Sequence, residues 1–155
     1  MNRVFRLDRY QIESVAVVLN ESYDAKLPSH AGDVSVKMTI APHKEDPTRY
    51  LLSLELFVRP KKDHEKAFFP YNIAIKGRAF FVFKDNCPKD QAKHVLSLNG
   101  ASILHGLLRA QVAQITAQSV HGQFLLPTMN FVEMAQSQQA GKPTKASKGK
   151  EHAKP

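Results

Sequence analysis

The chain has 155 residues, 43% hydrophobic and 23% charged, so it is long enough for one compact domain and too short for two substantial ones. Its longest apolar runs, residues 15–19 and 79–82, fall far below the roughly 20 residues that cross a bilayer, and no leader-like stretch follows Met1, so a cytoplasmic address is expected. The formal net charge is +8, yet Lys142, Lys145, Lys148, Lys150 and Lys154, against the single acid Glu151, all sit in residues 141–155, which read as a disordered Lys-rich tail behind a single domain at residues 1–140.

Residues 5–19 form a long extended stretch with β-branched side chains at Val15, Val17 and Val18. A breaker-rich loop at 24–33, with Pro28 and Gly32, precedes Val34, Val36, Met38 and Ile40, which alternate with Ser35, Lys37 and Thr39 in a period of two. After a polar turn at 42–47, Leu52, Leu54, Leu56 and Val58 alternate with Ser53, Glu55 and Phe57 in a third strand. A fourth is expected over 67–83, with Pro70 inside it and a bulge or bend at Gly77. Phe80 and Phe81 must point to opposite faces, so both faces of the sheet carry bulk. Short polar connections favour a four-stranded antiparallel meander.

Beyond Phe83 the period becomes helical. Pro88, Lys89 and Asp90 open a short helix that Asn99 and Gly100 are expected to close, and a longer helix follows over 101–120. Its wheel puts Leu104, Leu107, Leu108, Val112 and Ile115 on an apolar side, with Ser102, His105, Arg109 and Thr116 opposite. Gln111, Gln114 and Gln118 lie beside that side and read either as a solvated face or as a seam between subunits. Asn130 with Glu133 resembles a capping box that opens a last helix over 131–139. Together these elements give an α+β fold.

Catalytic patterns are missing. The chain contains no phosphate-binding loop, no nucleophile elbow and no HExxH, so no catalytic residue, metal or cofactor is expected. Cys87 is the only cysteine, which removes disulfides and thiolate zinc sites. His30, His43, His64 and His152 fall in loops or the tail, and His105 and His121 read as exposed helix or cap residues. The acids Asp8, Glu13, Glu55, Asp63, Asp85 and Asp90 are scattered rather than paired. What stands out is the greasy connection Gln123, Phe124, Leu125, Leu126, Pro127, Thr128, Met129, Asn130, Phe131 between the last two helices. It either closes over the core or forms a groove for an apolar partner.

Residues 102–131, SILHGLLRAQVAQITAQSVHGQFLLPTMNF, resemble the long helix, Gly-containing turn and Leu-Pro, Asn-Phe motif of the SecB family of bacterial export chaperones. Arg109 stands where the family helix carries arginine, and FRLDRY at residues 5–10 is similar to the opening strand. The resemblance covers about residues 4–139. It implies an ATP-independent holdase for unfolded or pre-secretory polypeptides and a homotetramer assembled as a dimer of dimers, with Gln111, Gln114 and Gln118 as interface candidates. By position, the implied client-binding groove takes Tyr23 and Leu27 from the crossover loop, Phe124, Leu125, Leu126 and Met129 from the inter-helix loop, and Phe131 and Met134 from the last helix. The acidic residues by which the family's sheet docks the motor ATPase SecA are replaced by Ser14, Val18 and Asn72, and an acidic tail by a lysine-rich one. Export is therefore one setting, and a specialist chaperone for a dedicated client such as an antitoxin is another.

Two other classes stay open at this point. A basic nucleic-acid-binding module would use the +8 charge, although the aromatics sit in apolar runs rather than among arginines. A hot-dog thioesterase also wraps a sheet around a long helix, but there the helix lies between strands, whereas here it follows all of them.

Overall fold

Strands that alternate buried and half-buried along their whole length need neighbours on both sides, and residues 50–58 and 71–83 have that pattern. A computed structural model of the chain places them at the centre of a four-stranded antiparallel sheet. The elements are β1 (Phe5–Leu19), β2 (Asp33–Pro42), β3 (Arg49–Arg59), β4 (Tyr71–Phe83), α1 (Lys89–Val95), α2 (Ala101–Thr116) and α3 (Phe131–Ala140). The structure describes residues 5–28, 32–61 and 68–140, with the backbone alone for 138–140. The lysine-rich stretch 141–155, together with His30, His64 and Ala67, lies outside the described residues.

The antiparallel sheet followed by helices is as expected, but the strand order β1-β4-β3-β2 makes only β2, β3 and β4 a meander. β1 crosses to the far side of β4, which is a Greek-key connection. The cause is legible in composition. β1 carries Arg6, Asp8, Arg9, Gln11 and Glu13 among its apolar residues, which suits an edge, and residues 20–32 are ample to span the roughly 14 Å across three strand spacings. β1 also carries two register shifts, at Leu7/Arg9 and Ile12/Ser14. The irregularity expected at Gly77 is in fact the second of these, in the partner strand opposite it.

One face of the sheet buries Leu52, Leu54, Leu56, Ile73, Ile75 and Phe81 beneath Leu104, Leu108 and Val112 of α2. Gly77 sits under the helix, and a Cβ there would lie 2.7 Å from Leu108 Cδ2 and 3.3 Å from the Gln11 carbonyl oxygen. Glycine is required at that point by the closeness of the helix to the strand.

Three boundaries differ from expectation. β4 begins at Tyr71, after Pro70, because proline has no N–H to give the ladder. Asn99 and Gly100 do not close α1. Residues Leu96–Gly100 form a π-helical turn with Gly100 in the right-handed region, and the chain passes through it directly into α2. A side chain at position 100 would meet the Phe81 ring at 3.3 Å, so the glycine serves packing rather than a left-handed cap. Finally, α2 stops at Thr116, not at residue 120, because the inter-helix segment folds back onto it there.

Candidate functional site

Two of the expected elements, the crossover loop and the start of the inter-helix segment, meet at the end of the sheet where β1 finishes and β4 starts. Asn20 is buried; its side-chain amide donates to the Phe69 carbonyl at 2.8 Å and its backbone N–H to the Pro70 carbonyl at 2.8 Å. Its own carbonyl groups accept the N–H groups of Ser22 and Tyr23 at 3.2 and 3.0 Å. This turn aims Tyr23 at the helices. Its ring meets His121 edge-on at 4.8 Å, and His121 and Phe124 stand 6.1 and 6.2 Å from the ring of Tyr71, whose hydroxyl donates to the Gly122 carbonyl. Phe124 also packs edge-on against Phe69 at 5.4 Å. Gly122 turns the chain with φ of 79°, a left-handed conformation that a branched residue would strain.

From Gly122 the segment runs back along α2, held at several points. The Thr116 hydroxyl donates to the Val112 carbonyl at 2.7 Å and accepts the Phe124 N–H at 2.8 Å. Arg109 Nε donates to the Leu126 carbonyl at 2.8 Å, and the Gln123 amide to the Ala113 carbonyl at 3.4 Å. The segment thereby covers a second side of α2. For that reason Thr116 and His105, expected on the wet side of the helix, are both buried. Asn130 then caps α3 through its side-chain oxygen, which accepts from Val132 and Glu133 at 3.1 and 3.3 Å, so the Asn130 half of the expected capping box is formed.

Each predicted groove residue has a definite place. Leu126 is 0% exposed and Phe131 4%, so both are core residues of the subunit, a correction to the expectation; Leu126 lines no groove, and Phe131 keeps only a residual surface. Arg109 holds the Leu126 carbonyl while the Leu126 side chain enters the core. Leu125 faces out, 51% exposed. Phe124, Met129 and Met134 are half-buried against the core, and Tyr23 and Leu27 are half-buried on the crossover turn. Met129 and Phe131, with Leu98, Ser102 and Val132, border a shallow depression of about 300 Å³ between the start of α2 and the start of α3. Sequence reading missed Tyr71 and His121, which join the two loops, and exposed Val132 and Val120. A wheel begun at the Asn130 cap would have set Val132 opposite Met134. Gln114 and Gln118 are exposed and Gln111 is half-buried.

Charge is sparse here. His105 packs its ring 5.9 Å from Phe131. Burial, and secondarily the neighbouring Arg109 guanidinium, holds the His105 imidazole below its usual range. A lowered pKa means that the unfolded chain takes up the proton first. The stability contributed by neutral His105 is therefore complete above the ordinary pKa of 6.5 and declines as pH falls below it through the folded value. Urea midpoints measured from about pH 7 to about pH 5 are expected to fall in the native chain and to fall less in His105→Leu; equal slopes would place the sensitivity elsewhere. No group of His, Cys, Asp and Glu among the described residues could hold a metal ion.

Residues 4–142 match the family described as preprotein translocase subunit SecB. Protein-export proteins SecB from Acinetobacter baumannii strains ATCC 17978 and AYE are each 27% identical over 99 residues, 64% of this chain. The chain spans 62% of the length of these curated relatives. Among solved structures, a SecB-like chaperone of Mycobacterium tuberculosis in complex with a ChAD peptide from the HigA1 antitoxin is similar with a TM-score of 0.65 at 10% identity. The match covers 83% of this chain and 91% of that one, and it shows the shared fold.

Proposed function

This chain belongs to the SecB family, and from that membership we propose that it is an ATP-independent holdase that binds unfolded polypeptides along an apolar strip of Tyr23, Leu27, Phe124, Leu125, Met129, Val132 and Met134. The observation that carries the reading is the convergence of two segments distant in sequence, the crossover turn at Tyr23 and the inter-helix segment, beside side chains that stay in water. The inter-helix segment leaves Val120 and Leu125 80 and 51% exposed, and Val132 at the start of α3 is 49% exposed, more apolar surface than a closed monomer would need. Three or four such anchors give a gross gain of about 6–9 kcal/mol before ordering costs, so one subunit binds weakly. Several subunits acting on one long client raise avidity without a fixed recognition sequence, and Met129 and Met134 adapt to varied side chains.

A cytoplasmic homotetramer, a dimer of dimers, belongs to the same proposal. Its support is the outer side of α2, where Ile103 is 40% exposed, Gly106 faces open space, and the one charged residue of the helix, Arg109, is turned to Leu126. The choice between export and a dedicated client such as an antitoxin is favoured toward the latter by the outer sheet face. Val18 and Asn72 lie directly opposite each other there, with Ser14 against Lys76, and none of the three positions is acidic.

The test is light scattering of a chemically denatured protein diluted into buffer with and without the chain, in the absence of nucleotide. Suppressed aggregation is expected, with Leu125→Ser/Met129→Ser raising the concentration for half suppression by about tenfold while far-UV circular dichroism is unchanged. Undiminished suppression by the variant would remove the strip from the mechanism.

A further inference from the structure

The bulk that Phe80 adds to the second face of the sheet plays no part in the strip, which lies on the helix side of the sheet. Across that second face, Val82 is flanked in register by Arg6 on β1 and Arg49 on β3. One step along, Phe80 is flanked by Arg9 and Leu51, and Leu51 by Ala41. Val82, Phe80, Leu51 and Ala41 floor a concavity of about 720 Å³ beside the β2–β3 turn, with Arg9, Lys44 and Arg49 among its walls together with the acids Asp8 and Glu45. A solvated sheet face ordinarily carries polar side chains, so this apolar floor is out of keeping with water.

Its rim is cationic in excess. Asp8 and Asp46 pair with Arg6 and Arg49 at 3.3 and 3.1 Å, which leaves Glu45, among the described residues, as the one unpaired carboxylate of the walls against two unpaired cations. Arg9 and Lys44 have no carboxylate partner among the described residues, and the Arg9 guanidinium lies 4.4 Å above the Phe80 ring. We propose that this concavity docks an acidic peptide segment, an apolar side chain entering over Leu51 and Val82 while flanking carboxylates meet Arg9, Lys44 and Arg49. A cation already covers the Phe80 ring face, so the ring is not free as a platform for stacking bases, and this disfavours a nucleic acid. The inference is independent of the holdase reading.

The test uses the full chain and fluorescence anisotropy of a short dye-labelled peptide of alternating Glu and Leu. Binding is expected, weakening as salt is raised. Arg9→Glu/Arg49→Glu is expected to raise Kd by about tenfold or more, with aggregation suppression retained, and the exposed turn variant Lys44→Glu by about threefold. A version of the peptide with Lys for Glu is expected not to bind. Should the double variant unfold, Lys44→Glu decides. The proposal is overturned if the variants bind as tightly as the native chain, which would assign binding to the lysine-rich C-terminal segment. It is equally overturned if a single-stranded oligothymidylate, rather than the peptide, is what the double variant loses, or if the double variant changes the molar mass in solution, which would make the face a contact between copies.

Discussion

Leu108→Ala is expected to lower the free energy of unfolding by about 2–5 kcal/mol, among the largest losses a single truncation can produce. Leu108 is fully buried and sits directly over Gly77, where helix and sheet come closest. Gly77→Ala on its own is expected to cost about 1–3 kcal/mol, because the new methyl meets Leu108 Cδ2 on one side and the Gln11 carbonyl on another, neither with room to yield. The two changes together are expected to be less damaging than their sum by about 1 kcal/mol or more, since the methyl partly fills the space the leucine vacates. Urea denaturation of the four chains measures this. Strict additivity would mean that α2 does not ride on β4 at this point.

Two neighbouring leucines provide the second large contrast. Leu126→Ala is expected to cost about 2–5 kcal/mol of stability, whereas Leu125→Ala is expected to stay within about 0.5 kcal/mol of the native chain. Leu126 has no exposed surface and belongs to the core, held there by the Arg109 bond to its carbonyl, while about half of Leu125 is in water. Thermal and urea unfolding of the pair decides it. Equal losses would show that the segment is not pinned in this register. The contrast also determines how the strip can be probed, because any change at Leu126 or Phe131 confounds client capture with loss of fold.

The expectation that both leucines and Phe131 line one groove came from their positions along the chain, and position cannot tell which of two adjacent side chains faces in. The same limit explains His105 and Thr116. A helical wheel assumes one covered side, and α2 has two, the second supplied by a segment that returns from residues 123–126. A glycine at position 77 stands out in a strand, but its reason, the approach of Leu108 from residues later in the chain, is a contact between elements.

Residue order alone determined the α+β class, the four strands, the succession of helices and the SecB resemblance. Period, breakers and spaced motifs are local properties, written within a few residues of where they act. Tertiary structure decided the placement of β1 beside β4, the burial of Leu126 and Phe131, the meeting of Tyr23 with His121, and the cation-rimmed floor around Phe80. Each of these depends on which distant segments share space, and that follows from the competition of all apolar faces for one core rather than from any segment's own preference.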